Sequence, residues 1–115
     1  MEKQTIRLKV NGQNLELMEP LRTFSSDTVN YIRASFNFAG DAWSGYDNIL
    51  AIWYTDTRLK ESEIIDGETV IPSEVLADPG ILCMNLCANK ASDGVLVARM
   101  TSYPVNVLRL TAAHI

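Results

Sequence analysis

Few residues of this chain have the types and spacing that enzyme chemistry requires. A serine hydrolase needs a serine, a histidine base and an acid within hydrogen-bond reach of one another. The candidates are the run Ser25–Asp27 and the single histidine, His114, which is the penultimate residue. Chain ends are usually poorly ordered, and no G-x-S-x-G elbow holds either serine. We therefore expect no catalytic residue and no enzymatic activity.

Metal ligands are equally sparse. Asp41 and Asp47 flank residues 42–46 and could supply oxygen ligands to calcium, which takes six to eight of them, but no D-x-D-x-D-G pattern is present. Aspartates in such loops commonly accept hydrogen bonds from nearby backbone N–H groups instead. Cys83 and Cys87 have a C-x3-C spacing without a second ligand pair, which disfavours zinc. We expect no metal and no cofactor.

The two cysteines are predicted to be free thiols in the core. Four residues of a strand span about 13 Å, whereas a disulfide needs Cα atoms within about 7 Å. If residues 81–88 form a strand, Cys83 and Cys87 cannot pair with each other. Small buried thiols in place of disulfides fit assembly in a reducing cytoplasm.

Length and charge exclude several classes of protein. The 115 residues fit one domain, 1–115, with a short terminal tail at 111–115. The net charge is −4 and the ten basic residues are scattered, which disfavours nucleic acid because phosphate binding needs clustered Lys and Arg. The longest apolar run, residues 49–54, is far too short to cross a bilayer.

Alternation of apolar and polar residues predicts an all-β fold of about eight short antiparallel strands. Asn11-Gly12, Asp66-Gly67 and Asp93-Gly94 are strong turn signals between such segments. Residues 19–27 resemble a loop, and Ser73 could cap a single helical turn near residues 72–76. Residues 49–54 are apolar on both faces, which predicts a central or covered strand. The strand-like segments are 5–10, 15–17, 29–38, 49–54, 63–65 with 68–71, 81–88, 95–101 and 105–110.

The aromatic residues have two interpretations. Trp43, Tyr46, Trp53 and Tyr54 could stack against a sugar, but Trp and Tyr bury large areas and usually serve the core. We expect Trp43 to close one end of a sandwich and Trp53 to lie in its centre, with Tyr54 on the opposite face and more exposed. The full predicted core set is Phe36, Phe38, Trp43, Trp53, Cys83 and Cys87.

An ordered set of short motifs covers residues 27–110. It comprises Asp27-Thr28-Val29-Asn30-Tyr31, Phe36-x-Phe38, Trp43-x-Gly45-Tyr46, a strand through Trp53, Asp66-Gly67, Val70-Ile71-Pro72-x-Glu74-Val75-Leu76, Pro79-Gly80 and Thr101-x-x-Pro104-Val105-x-Val107. In this order the motifs resemble the immunoglobulin-like β-sandwich domains of tailed-bacteriophage virions. Such domains occur in head-decoration and head-fibre proteins and at the N-terminus of baseplate and tail-fibre proteins.

The resemblance implies a structural role in a virion assembled in the bacterial cytoplasm. Because no coiled coil or fibre follows before Ile115, the first expectation is a capsid decoration protein that binds the major capsid protein. The alternative is a baseplate or fibre module that binds a host glycan or anchors another virion protein. A bacterial surface domain unrelated to a virus is a third alternative, and a homo-oligomer is a further expected partner.

Partner contacts are expected at the chain ends and at one end of the sandwich. Residues 5–10 are predicted to form a terminal strand with Arg7 and Lys9 on its outer face and with an edge open to another chain. The apolar tail lacks a predicted partner strand, so burial in an assembly would explain it. The candidate contact residues are Arg7, Lys9, Tyr46, Tyr54, His114 and Ile115.

Overall fold

The computed structural model describes residues 4–25 and 32–112, and in these it has ten strands and one short 3₁₀ turn. The predicted all-β sandwich is confirmed. The strands are β1 Gln4–Asn11, β2 Asn14–Leu17, β3 Arg22–Ser25, β4 Ile32–Ala39, β5 Asn48–Tyr54, β6 Leu59–Glu63, β7 Glu68–Val70, β8 Gly80–Ser92, β9 Val95–Thr101 and β10 Val105–Thr111, and the 3₁₀ turn is Ser73–Leu76.

The strands form two mixed sheets. The small sheet has the order β2-β1-β4-β7, and the large sheet has the order β3-β10-β8-β5-β6 with β9 also paired to β8. β1 runs parallel to β4, and β3 runs parallel to β10. The sequence had predicted antiparallel pairing throughout, and these two pairs contradict that prediction. Alternation shows which face a residue occupies but not which distant strand it pairs with, and for this reason it did not predict the parallel pairs.

The core lies between the two sheets and follows the period of two that strands impose. Trp53 is fully buried at its centre. Inward-facing residues of β1, β4, β8 and β10 surround it, namely Ile6, Leu8, Val10, Ile32, Ala34, Phe36, Leu82, Met84, Leu86, Ala88, Val107, Leu108 and Leu110. Phe38 is partly buried and packs against this cluster.

A short chain of hydrogen bonds joins the sheets through the core. The Trp53 Nε1–H group on β5 donates to Ser62 Oγ at 2.8 Å. The Thr69 hydroxyl, on β7 of the small sheet, donates to the same oxygen at 2.8 Å. The buried indole N–H and the buried Thr69 hydroxyl therefore both have a partner, which avoids the cost of an unsatisfied buried polar group.

Four local expectations differ from the structure. β3 lies within the segment expected to be a loop, because its ladder is made with β10 rather than with a sequence neighbour. Thr111 belongs to β10 and is not part of a free tail. β1 lies between β2 and β4 and is not an edge strand. The 3₁₀ turn follows Pro72 and has no side-chain cap, since the Ser73 hydroxyl contacts Glu74 instead.

The predicted turns are present. Asp66 and Gly67 both have positive φ, 54° and 77°, as do Asp93 and Gly94, and two successive positive values match the type I′ hairpin turn. At the β1–β2 turn only Gly12 is positive, with φ of 60°. Gly67 also lies against β4, where its carbonyl accepts a 2.8 Å hydrogen bond from Phe36 N–H.

Replacing Trp53 with Ala should lower the free energy of unfolding by about 3–5 kcal/mol, because a large buried side chain and its hydrogen bond are lost together. Tyr103, which is 62% exposed, provides the control, and Tyr103→Ala should change stability by less than about 0.5 kcal/mol. Urea unfolding followed by circular dichroism measures both. Equal effects of the two substitutions would contradict the central position of Trp53.

Gly67→Ala should destabilise the protein more than Gly12→Ala. Both substitutions place a Cβ at positive φ, which costs about 1–2 kcal/mol. At Gly67 the new Cβ would also lie 3.3 Å from the Phe36 carbonyl oxygen, whereas at Gly12 nothing lies within 4 Å. Thermal unfolding of the two variants isolates this contact. A larger loss for Gly12→Ala would mean that β7 does not approach β4 as described.

Candidate interaction surfaces

The outer face of the large sheet is apolar along its two central strands. Across β8 and β5, Cys83 lies opposite Tyr54 and Cys87 lies opposite Leu50, with Asn85 and Ile52 between them. These side chains are only partly buried. We call this surface the outer apolar face and define it by Leu50, Ile52, Tyr54, Ile81, Cys83 and Cys87.

The two cysteines belong to this outer face and not to the core, which corrects the expectation for them. Leu82, Met84, Leu86 and Ala88 occupy the inward positions of β8, so the alternate positions, including Cys83 and Cys87, point outward. Both thiols are free and partly exposed. The Cys83 thiol donates to Asn106 Oδ1 at 3.0 Å.

The environment of Cys83 makes its thiolate hard to form. Burial raises the pKa of the Cys83 thiol, and the negative charge of Asp56 raises this pKa further. The pKa of Tyr54 is also raised, first by burial and second by the charge that Cys83 would carry. Since the thiolate is the nucleophile, Cys83 is suited to packing and not to covalent catalysis.

Asp56→Asn should speed alkylation of Cys83 by roughly two-fold at pH 8, because loss of the nearby negative charge lowers the thiol pKa and increases the thiolate fraction. The measurement is the rate of iodoacetamide labelling by mass spectrometry in a Cys87→Ser background. Asp66→Asn removes the same charge in the turn after β6 and should leave the rate unchanged. An equal effect of both variants would exclude a specific role for Asp56.

The outer face of the small sheet is polar and carries paired charges. Arg7 on β1 contacts Glu19 at 2.9 Å, and Arg33 on β4 contacts Glu68 at 2.7 Å. Lys9 is exposed on the same face. Exposed ion pairs contribute little stability, and these side chains suit contact with water. Arg7 and Lys9 therefore lie on a solvated surface in the middle of a sheet and not on an open edge.

The Trp43 end of the sandwich is a packed aromatic cluster. Trp43 is 4% exposed, and its ring centroid lies 6.4 Å from that of Phe38 and 6.3 Å from that of Tyr46. The indole N–H donates to the Gly12 carbonyl at 2.8 Å. Because its ring is covered and its N–H is occupied, Trp43 does not offer a free face for stacking a sugar.

Two of the open depressions on the described residues lie at the ends of the sandwich. One is an apolar cleft of about 250 Å³ beside Trp43, between Phe38 and Ile49. The other is a groove of about 440 Å³ along residues 55–58 and 78–81. In this groove Arg58 donates to Asp78 at 2.7 Å, and this hydrogen bond is the main cause of the lowered pKa of the Asp78 carboxyl. The pair is exposed and satisfied, so it forms no prepared ligand site.

The residues considered for chemistry do not come together. Asp47 accepts a hydrogen bond from the Ala91 N–H at 3.2 Å, and the Asp41 carbonyl accepts one from the Ser44 hydroxyl at 2.8 Å. Within residues 4–25 and 32–112, no three His, Cys, Asp or Glu side chains are grouped as metal ligands. His114 and Ile115 lie outside the described residues. None of the helical segments in the described part has the length and apolar character of a membrane span.

Comparison with known proteins shows a similarity in fold. No family model and no curated protein sequence matches this chain. Among solved structures, the N-terminal domain of phage TP901-1 ORF48 matches with a TM-score of 0.55 over 95% of this chain and 99% of that chain. The two share a fold. Their sequences are 14% identical, so the relationship concerns the arrangement of strands, and side-chain chemistry is specific to each chain.

The residue patterns of the sequence did not indicate the outer apolar face. Leu50, Ile52 and Ile81 were not among the candidate contacts, and of the residues on this face only Tyr54 was. The available signal was the run 49–54, which is apolar on both faces although only one face can meet the core. The structure shows that Ala51 and Trp53 point inward while Leu50 and Ile52 remain partly exposed.

Proposed function

We propose that this chain is a structural domain of a bacteriophage virion that acts by binding other virion proteins without catalysis. The observation that carries the proposal is the match in fold, over nearly the whole of both chains, to a domain of a phage protein. The partly exposed apolar surface of the large sheet supports it, because exposed apolar patches commonly mark protein–protein contacts. The ordered motifs of the sequence support the same class, including its immunoglobulin-like assignment.

Within that role we propose capsid decoration first. Many copies on one lattice would bind the major capsid protein through contacts that are individually weak and collectively strong. The alternative is an attachment module of the baseplate or of a fibre. This second role has a specific observation in its favour, since the matched domain is the N-terminal part of a phage protein. Glycan binding belongs to this alternative and would not use the covered Trp43 ring.

Cryo-electron microscopy of the phage particle that encodes this chain tests the proposal directly. Density that fits the ten-strand sandwich should recur across the head surface for a decoration protein. Density confined to the tail would select the attachment module instead. Particles whose mass spectrum lacks the chain would overturn a virion role of either kind.

A further inference from the structure

We infer that the outer apolar face is a homodimer interface, on which a second copy of this chain packs face to face about a two-fold axis parallel to the strands. The first observation is the contrast between the two outer faces. The small sheet presents ion-paired Arg7 and Arg33 to water, whereas the large sheet presents Leu50, Ile52 and Ile81. A covering partner would remove this apolar surface from water.

The apolar surface continues to the neighbouring edge strand. Leu59 on β6 lies opposite Tyr54 and is 65% exposed. From Ile81 to Asn89 of β8, the surface formed with β5, β6 and the adjoining parts of β9 and β10 fits within about 19 by 27 Å, or at most about 500 Å² per copy. This is below the roughly 800 Å² per partner of a standard stable interface, so the dimer should be reversible and dependent on concentration.

Charge identifies the partner as a second copy. Glu61 and Glu63 project from β6 at one margin of the face, because they lie opposite Ile52 and Leu50. At the other margin, Arg99 on β9 lies opposite Asn89, and Arg109 on β10 lies opposite Ile81. Among the described residues none of these four charges forms an ion pair. The face therefore carries both an acidic and a basic margin, and each is the complement of the other.

Only one of the two in-plane symmetry axes uses this complementarity. A two-fold axis parallel to the strands and between β8 and β5 places β6 of one copy over β9 and β10 of the other. A two-fold axis perpendicular to the strands would place β6 over β6 and bring like charges together. Such like-charge contacts disfavour an interface, so the parallel axis is selected.

The parallel axis also brings specific residues into range. β8 of one copy then covers β5 of the other, which packs Cys87 of each copy onto Leu50 of its partner. Arg99 of one copy then lies two residues further along the strand direction than Glu63 of the other copy. This distance is about 7 Å, which an arginine side chain can span. Arg99 uses its Nε–H group to bind Asn89 at 3.1 Å, and a guanidinium has four further N–H donors.

The oligomeric state of the purified chain gives the first test. Sedimentation velocity over a concentration series should show the wild type passing from monomer to dimer. Ile52→Asp should weaken dimerisation by at least about ten-fold, because it places a charge at the centre of the interface. Lys9→Asp, on the outer face of the small sheet, is the matched control and should leave dimerisation unchanged. A wild type that stays monomeric, or equal loss in both variants, overturns the inference.

Charge reversal gives a second and more specific test. Glu63→Arg and Arg99→Glu should each dimerise poorly alone, because each places like charges at both margins. An equal mixture of the two variants should form a heterodimer with near wild-type affinity, since every margin pair is then opposite in sign. Circular dichroism confirms that each variant is folded. A mixture no stronger than the separate variants overturns the proposed axis.

These measurements use the isolated chain and need no phage particle. The inference therefore does not rest on the proposed virion role. A monomeric chain found on a virion would overturn the dimer alone, and a dimeric chain absent from the virion would overturn the virion role alone.

Discussion

The architecture depends on how one edge of β8 is divided between two strands. β9 pairs with residues 87–92 of β8, and β10 pairs with residues 80–84 on the same edge. Between them the buried side chain of Ser102 accepts a hydrogen bond from Leu86 N–H at 2.7 Å, while Ser102 N–H donates to the Leu86 carbonyl at 2.9 Å. Ser102 thus makes the two hydrogen bonds that Leu86 would otherwise make with a paired strand. On either side of Ser102, β9 pairs with the later part of β8, and β10 pairs with its earlier part and with β3 to complete the large sheet.

Local patterns predicted the turns and most of the strands, but they missed β3 and most of β6 and did not predict which strands pair. The two-residue turns at Asp66-Gly67 and Asp93-Gly94 have the backbone that their residues favour. β3 was missed because its ladder is with β10, far away in sequence, and no local signal records such pairing. The cysteines were placed on the wrong side because residues 81–84 and 86–88 are all apolar. Alternation cannot distinguish two faces that are both apolar.

The same limitation hid the candidate interface. Among the aromatic residues that could have offered an exposed ring, Trp43 is packed and hydrogen-bonded in the structure. The partly exposed apolar surface lies instead on strands whose two faces have similar composition. Only the register of β8, β5 and β6 shows that Leu50, Cys87 and Glu63 share a row. A surface built from neighbouring strands becomes visible once their pairing is known.

The parallel pairing of β3 with β10 has a consequence for how the chain folds. Arg22 pairs with Leu108. The backbone groups of β3 can therefore form their ladder hydrogen bonds only after β10, near the end of the chain, is in place. β10 also contributes Val107, Leu108 and Leu110 to the core. During synthesis the sandwich therefore cannot close until β10 has left the ribosome. Contacts between such distant segments slow folding, and until then the unfinished edge of β8 stays open to other chains.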